Sequence, residues 1–211
     1  MKSADGVRNL RRIVDGEENL FIIVSAMGKT TNALESVFTH MQNRRKREAA
    51  DEIKRIKEYH ASIVDDLWGG HVEIEAVNRL FGELHDIAVD TVYRAADAEL
   101  WYDTIVAYGE LISTTIISEY LEFTGIRNRW IDMRAAFVTN QRHKDAYVNI
   151  KVSEPRLKAA TEHTGGGVFG GAHYSASKAA VLAFSKNLSR EISAEGITIN
   201  SVCPGLINTE I

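Results

Sequence analysis

The chain carries its most informative segment close to its start: Leu20-Phe-Ile-Ile-Val-Ser-Ala-Met-Gly-Lys-Thr-Thr-Asn32. Residues 20–24 form a short apolar run rich in β-branched side chains, which predicts a strand buried on both faces. Small and hydroxylated residues follow, and a helical pattern begins at once, with Asn32 and Glu35 spaced as a helix start. The apolar face of that helix consists of Leu34, Val37, Phe38 and Met41. In α/β proteins, a strand, a polar turn and a helix in this order point backbone N–H groups and hydroxyls at an anionic ligand.

The turn in this segment contains Gly28-Lys29-Thr30, which invites comparison with the phosphate loop of nucleotide-binding proteins. That loop requires an earlier glycine at the position that Ile23 holds, so the phosphate-loop interpretation is excluded. Two alternatives remain open. The hydroxyls of Ser25, Thr30 and Thr31 bind a phosphate or a carboxylate, or the turn is a plain capped helix start.

Composition and charge favour an ordinary globular protein. The chain has 211 residues and a net charge of −4, which gives no reason to expect a nucleic acid or an anionic membrane as a partner. No apolar run approaches the ~20 residues of a membrane span, and no secretory signal follows Met1. The single cysteine, Cys203, excludes an intramolecular disulfide and fits a reducing compartment. We therefore expect a soluble cytoplasmic protein.

Two groups of polar residues have simple interpretations. The basic run Arg44-Arg-Lys-Arg47 lies close to Glu48, Asp51 and Glu52, which is typical of a solvated helix face. The histidines at positions 40, 60, 71 and 85 lack the close spacing of metal ligands. We therefore predict no metal site from them.

The order of the predicted elements indicates a helix-rich α/β fold with an incomplete parallel sheet. The chain opens on a helix that would normally follow a parallel strand, so we expect the sheet to lack its first strand. Residues 111–123 form an apolar helix that we expect to be buried, with Glu110 in or near its first turn. Further strands are predicted at residues 129–133 and 147–152. Ser153 is expected to cap a short helix.

The character of the sequence changes close to Thr161. A glycine-rich loop is predicted at residues 165–171, a helix rich in Ala, Ser and Leu at residues 174–195, and a strand at residues 197–202. We place a domain boundary here, with one fragment at residues 1–162 and a second at residues 163–211. A parallel sheet without its first strand has an unpaired edge. Either the strand at 197–202 pairs with that sheet, or the chain forms a homo-oligomer through the edge.

Residues 1–162 resemble the aspartate kinases, which belong to the amino acid kinase family. The resemblance rests on three motifs: Phe21-Ile-Ile-Val-Ser-Ala-Met-Gly-Lys-Thr-Thr-Asn-Ala-Leu34, Ala107-Tyr-Gly-Glu-Leu-Ile-Ser113 and Trp130-Ile-Asp-Met-Arg134. These are similar to the family's second strand with its loop, its Gly-Glu motif and its next strand. The resemblance implies ATP with Mg²⁺ as cofactor and phosphorylation of the aspartate β-carboxylate, a step of amino-acid biosynthesis. It also implies that Ser25 lies beside the transferred phosphoryl group, while Thr31 and Glu110 hold aspartate.

The residue types at these positions suit that chemistry, because hydroxyls bond a carboxylate and a carboxylate binds the substrate ammonium. Two motifs of the family have no counterpart here. These are the opening strand, Lys-Phe-Gly-Gly-Thr-Ser-Val, and the later glycine-rich segment that holds ATP, with its substrate-binding arginine. Since the lysine of the opening strand stabilises the phosphates, we expect this chain not to catalyse phosphoryl transfer unaided.

A second constellation is Tyr174-Ser-Ala-Ser-Lys178, whose tyrosine and lysine project from one face of a predicted helix. A nearby ammonium lowers the pKa of a phenol, which can then exchange a proton with a carbonyl or an alcohol. Residues 165–211 resemble the carboxyl-terminal part of the short-chain dehydrogenase/reductases. The resemblance rests on Gly170-Gly-Ala-His-Tyr-Ser-Ala-Ser-Lys-Ala-Ala180, similar to the catalytic helix, and on Ile199-Asn-Ser-Val-Cys-Pro-Gly-Leu-Ile-Asn-Thr209, similar to the next strand and its Pro-Gly loop.

The second resemblance implies a Rossmann-like helix–strand piece that uses NAD or NADP. Tyr174 is then the proton donor and Lys178 its activator and a ligand of the cofactor ribose, with Pro204, Gly205 and Thr209 along the cofactor. The Gly-x-x-x-Gly-x-Gly turn that would bind the pyrophosphate is absent upstream. We therefore expect a truncated aspartate-kinase-like domain with a reductase-like piece. The alternatives are an NAD(P)-dependent reductase and a non-catalytic chimera or sequence artefact.

Overall fold

A computed structural model describes residues 1–17, 20–140, 146–161, 166–170 and 198–201, the last two segments by their backbone. Several predicted site residues lie outside the described residues, and their roles stay predictions: Tyr174, Lys178, Pro204, Gly205 and Thr209.

The described chain is rich in helix. Its helices are α1 (Ala4–Val14), α2 (Thr30–Gln42), α3 (Lys46–Trp68), α4 (Glu75–His85), α5 (Ala98–Phe123), α6 (Met133–Ala136) and α7 (Ile150–Thr161). A π-helical turn, Asp86–Asp90, extends α4, and a short 3-10 turn, Ala95–Asp97, leads into α5. The strands are β1 (Leu20–Ile23), β2 (Trp130–Asp132), β3 (Gly166–Gly170) and β4 (Thr198–Ser201). The predicted helix-rich α/β class is confirmed.

These strands form one four-stranded parallel sheet in the order β2-β3-β1-β4. Ile22 of β1 pairs with Val168 of β3 on one side and with Asn200 of β4 on the other. β2 joins the sheet through β3, where Ile131 pairs with Phe169. Of the two alternatives for the open edge, this arrangement agrees with the one in which the strand at 197–202 pairs with the sheet. Homo-oligomer formation stays a prediction. The sheet takes strands from both sides of the predicted boundary at residue 162, and the boundary itself stays a prediction.

Alternate side chains of β1 pack on opposite faces of the sheet, as the two-residue period of a strand requires. Leu20 and Ile22 pack against a large core formed with α1 to α5, whereas Phe21 and Ile23 pack against a smaller cluster formed with β2, α6 and α7. Residues 105–117 of α5 are all buried, which confirms the first part of the apolar helix predicted at residues 111–123, whereas Phe123 at its end is exposed. None of the described helices has the length and hydropathy needed to cross a bilayer.

The predicted loop at residues 165–171 is wrong, because this segment contains β3. Glycine weakens a strand and is typical of loops. Here β3 lies between β1 and β2 and pairs with both, so its backbone N–H and C=O groups find partners on two sides. Pairing between distant segments has overridden the local preference.

The predicted strand at residues 147–152 is also wrong. Val148 forms one isolated antiparallel bridge with Thr139, and α7 begins immediately afterwards at Ile150. Ser153 consequently lies inside α7 and does not cap it. Its buried hydroxyl instead accepts a hydrogen bond from the Val138 N–H at 2.9 Å, which ties α7 to the preceding loop.

Candidate functional site

The candidate site is the turn that joins β1 to α2. Ser25 is exposed at the end of β1, and Thr31 is half-buried in the first turn of α2. Thr30 is buried, and its hydroxyl donates to the Met27 carbonyl at 2.6 Å. This hydrogen is therefore used in a bond within the turn. Ser25 therefore lies at the start of the turn and Thr31 at its end. Thr30 stabilises the turn through its hydrogen bond to the Met27 carbonyl.

The turn lies directly against α5 at Gly109. A Cβ atom at Gly109 would lie 2.8 Å from the Cβ of Ala26 and 3.3 Å from Cδ1 of Leu34. Only a residue without a side chain permits this approach. The prediction that a helix starts near Glu110 is wrong, since α5 begins at Ala98 and runs through Gly109 without a break. The glycine serves a close contact and not a helix end.

Glu110 and Ser113 of α5 bind the backbone of the turn. Glu110 Oε1 accepts a hydrogen bond from the Ala26 N–H at 3.2 Å, and Ser113 Oγ donates to the Ser25 carbonyl at 3.2 Å. We call this pair of contacts the α5 clamp. Glu110 is only 6% exposed, so its carboxylate is held inside the protein, directly beneath the turn.

Sequence reasoning assigned no role to Ser113. A signal was available, because residues three apart on a helix lie on the same face, and Ser113 follows Glu110 at this spacing. Ser25 and Thr31 thus lie on the turn, and Glu110 bonds the turn backbone at Ala26. Ser113 and Gly109 are the further residues through which α5 contacts the turn.

A network of charged residues lies at the carboxyl end of β2, which is the same edge of the parallel sheet. Arg134 forms an ion pair with Asp132, with Nη2 and Oδ2 2.7 Å apart, and the Asp132 carboxylate raises the pKa of this guanidinium. Tyr108 donates to Glu83 Oε2 at 3.3 Å. Burial, together with the Glu83 carboxylate, raises the pKa of Tyr108 to about 12, although Arg134 acts in the opposite direction. The phenol therefore remains protonated and the arginine remains paired.

Two backbone amides and one cation at this edge of the sheet already have partners within the protein. Binding of phosphates requires free backbone N–H groups and unpaired cations. The Ala26 N–H is bonded to Glu110, and the Gly28 N–H donates to the Met1 carbonyl at 2.7 Å. Arg134, at the same edge of the sheet, is neutralised by Asp132. Lys29 is exposed on the turn, but one lysine supplies little of the positive charge that a nucleotide and its metal ion need.

The basic run at residues 44–47 is exposed at the junction of α2 and α3, as predicted. His60 is fully buried and bonds the Ile56 carbonyl through Nδ1 at 2.8 Å. One group not expected from the sequence is His85, Asp86 and Asp90, whose potential ligand atoms lie within 4.8 Å of one another. These side chains are half-exposed or exposed, and solvated acidic groups often lie this close without a metal ion.

Comparison with known proteins gives a different match for each part of the chain. The sequence model of the short chain dehydrogenase family matches residues 160–211. An uncharacterized short-chain type dehydrogenase/reductase of Sinorhizobium fredii is 47% identical over 55 residues, which are 26% of this chain and 22% of that protein. The acetoacetyl-CoA reductase of Shinella zoogloeoides is 53% identical over 45 residues, 21% of this chain and 19% of that protein.

The larger part of the chain is similar to aspartokinases. The bifunctional aspartokinase/homoserine dehydrogenase 2 of Arabidopsis thaliana is 24% identical over 139 residues, 64% of this chain and 15% of that protein. Escherichia coli aspartokinase III in complex with lysine and aspartate has a TM-score of 0.63 at 22% identity, covering 79% of this chain and 38% of that one. The same enzyme in complex with aspartate and ADP has a TM-score of 0.61. The chain thus combines an aspartokinase-like fold with a short-chain-dehydrogenase-like segment, and it spans a minor part of each relative.

Proposed function

We propose that this protein binds L-aspartate at the turn between β1 and α2, as an aspartate-kinase-like domain that does not phosphorylate aspartate unaided. The observation that carries the proposal is the α5 clamp. It fixes the turn that carries Ser25 and Thr31 to the buried Glu110 and to Ser113 through the turn backbone. The fold of the chain is similar to that of an aspartokinase solved with aspartate.

The chemistry of the turn suits an amino acid with two carboxylates. Ser25 and Thr31 offer hydroxyl donors at the two ends of the turn, and hydroxyls bond carboxylate oxygens. Lys29 adds an exposed positive charge between them. Glu110 places a negative charge beneath the same turn, where it attracts the substrate ammonium. The proposed ligand is therefore zwitterionic, with carboxylates toward the hydroxyls and the ammonium toward α5.

The proposed lack of phosphoryl transfer follows from the poor fit to ATP and Mg²⁺. The Ala26 and Gly28 amides have acceptors within the protein, and Arg134 is paired, so the transferred phosphoryl group would lack stabilising charge. We propose that the chain binds the small substrate and not the nucleotide. We also propose a cytoplasmic location and retain a homo-oligomer as a proposal.

Calorimetric titration of the full chain with L-aspartate tests this function. We expect saturable binding that weakens about tenfold or more in Glu110→Gln, since hydrogen bonds to charged groups contribute about 1.5–3 kcal/mol. Ser25→Ala and Thr31→Val are expected to weaken binding less. Their matched controls are Ser36→Ala and Thr39→Val, whose hydroxyls bond carbonyls of their own helix α2.

A folded wild-type chain without saturable binding at millimolar aspartate would refute the proposal. If all three site variants bind aspartate as tightly as the wild type, the assignment of Ser25, Thr31 and Glu110 to the binding site is refuted. A coupled assay with ATP, Mg²⁺ and aspartate tests the second half of the proposal. Ordinary turnover by the purified chain would overturn the claim that it is inactive alone.

A second candidate function is NAD(P)-dependent oxidoreduction by the carboxyl-terminal segment. The match of residues 160–211 to the short chain dehydrogenase family favours it. In this proposal Tyr174 transfers the proton, and Lys178 activates Tyr174 and binds the cofactor. The residues along the cofactor are Pro204, Gly205 and Thr209. We expect titration with NADH and NADPH to decide. Saturable binding abolished by Lys178→Ala would support this function, and no binding at millimolar cofactor would exclude it.

A further inference from the structure

The turn between β1 and α2 is held by a second set of contacts, which does not involve α5. The Gly28 N–H donates to the Met1 carbonyl at 2.7 Å, and the Tyr59 hydroxyl donates to the Lys2 carbonyl at 2.8 Å. Met1 and Lys2, which we call the strap, therefore connect the turn to the middle of α3. Glu110 and Ser113 bind the Ser25–Ala26 part of the turn, whereas the strap binds it at Gly28.

Tyr59 also contacts the turn directly. Gly28 has a left-handed backbone, with φ of +58°, and a Cβ atom there would collide with the Tyr59 hydroxyl oxygen and lie 3.1 Å from Cζ. The glycine is thus required twice, by its backbone conformation and by the ring packed against it. Any movement of the tyrosine would change the space available to the turn.

The side chain of Tyr59 is held in place by its packing in the protein. It is half-buried and packs against the large core from α3, a helix of 23 residues. Its ring lies edge-on to that of the buried His60, with ring centroids 5.1 Å apart. Burial raises the pKa of Tyr59, so its hydroxyl is protonated at neutral pH and acts as a donor. A rigid side chain thus holds the strap, and the strap holds Gly28.

We propose that Tyr59 is a positioning residue for aspartate binding, acting through Met1, Lys2 and Gly28 to hold the turn in its binding conformation. This inference rests on the proposed aspartate-binding function. The α5 clamp fixes one part of the turn and the strap another, so the distance between Ser25 and Thr31 is set only when both are in place. Loss of the Tyr59 hydroxyl releases the strap and leaves the α5 clamp intact.

The test compares Tyr59→Phe with Tyr93→Phe in the full chain. Each variant loses one hydroxyl with one hydrogen bond to another part of the protein, since the Tyr93 hydroxyl accepts from Gln42 Nε2 at 3.1 Å near the end of α2. Amide hydrogen exchange at Gly28 and the dissociation constant for L-aspartate are measured in both variants and the wild type. Thermal unfolding midpoints report any general loss of stability.

We expect Tyr59→Phe to accelerate exchange at Gly28 and to weaken aspartate binding by about threefold to tenfold, the range of one hydrogen bond. Tyr93→Phe should leave both quantities unchanged, even where its unfolding midpoint falls equally. Unchanged exchange at Gly28 in Tyr59→Phe would overturn the proposal, and so would faster exchange with unchanged affinity. A wild-type chain that binds no aspartate would refute the proposed function, whereas binding that is indifferent to Tyr59 would refute the positioning role alone.

Discussion

One face of the sheet is covered by the helices α1 to α5, and the other mainly by the short α6 and by α7. On the first face, Leu20 and Ile22 meet a core whose central helix, α5, is buried over residues 105–117. On the second face, Phe21 and Ile23 meet a cluster whose buried members are Ile131, Met133, Ala136 and Leu157. The candidate site belongs to the first face, because its turn is bound by α5 and α3. The turn proposed to bind a ligand is therefore supported by the larger of the two hydrophobic cores.

The largest expected effect is a difference in the cost of the same substitution on the two faces. Leu111 on α5 is fully buried, whereas Leu157 on α7 is 7% exposed in the smaller cluster. We expect Leu111→Ala to lower the free energy of unfolding by about 4 kcal/mol and Leu157→Ala by about 2 kcal/mol, because a thin layer relaxes more easily around a cavity. Urea denaturation measures both values. Equal losses would contradict the difference between the faces.

The second prediction concerns the contact between α5 and the turn. In Gly109→Ala the added methyl group meets the Cβ of Ala26 at 2.8 Å. We expect a loss of about 1–3 kcal/mol from overpacking, together with weaker aspartate binding as the turn is pushed away from Glu110. Adding Ala26→Gly to this variant should restore most of the lost free energy of unfolding and most of the lost affinity for aspartate.

Gly82 provides the matched control, because it lies inside α4 and a Cβ atom there would meet nothing within 4 Å. We expect Gly82→Ala to stabilise the protein by about 0.5–1 kcal/mol, since alanine is the better helix former. The same substitution is thus expected to lower the free energy of unfolding in α5 and to raise it in α4. A stabilising Gly109→Ala would show that the turn does not lie against α5.

The smallest expected effect is a pH dependence from the core of the first face. Burial lowers the pKa of His60 below its ordinary value of 6.5, although its bond to the Ile56 carbonyl acts in the opposite direction. As the pH falls through about 6.5, the unfolded chain binds the proton more readily than the folded one, so stability decreases. We expect the decrease between pH 7.5 and 5.5 to be smaller in His60→Leu than in the wild type.

Chemical denaturation at the two pH values measures this effect. His71→Gln is the control, since it removes a histidine from an exposed position near Asp65. Its stability at the two pH values shows what removal of a histidine outside the core does. An identical decrease in His60→Leu would show that another group causes it.

Local patterns predicted the elements that depend on nearby residues. The apolar run at β1, the polar turn after it and the apolar helix at residues 111–123 were all readable from spacing and residue type, because each is formed by neighbours in sequence. The strand at 197–202 was predicted for the same reason. Its pairing with the sheet was one of two alternatives, because an open sheet edge can also find its partner in a second copy of the chain.

The failures share a physical cause, which is contact between distant segments. The glycine-rich sequence of β3 has no local signal for a strand, and its pairing with β1 and β2 is visible only in three dimensions. Glu110 was placed in or near the first turn of a helix, whereas the role of the neighbouring Gly109 depends on Ala26, far away in the chain. The contacts of Glu110 with the turn and of Tyr59 with Lys2 likewise join residues that no sequence window contains.

The most direct test of the account is a two-dimensional ¹H–¹⁵N spectrum of the full chain during titration with L-aspartate. The backbone amides of Ala26 and Gly28 report on the two points where α5 and the strap hold the turn. We expect both signals to shift saturably with a common dissociation constant, while the amide of Gly82 on α4 remains unchanged. Unshifted signals from Ala26 and Gly28 in a folded chain at millimolar aspartate would contradict the central claim that this turn is an aspartate-binding site.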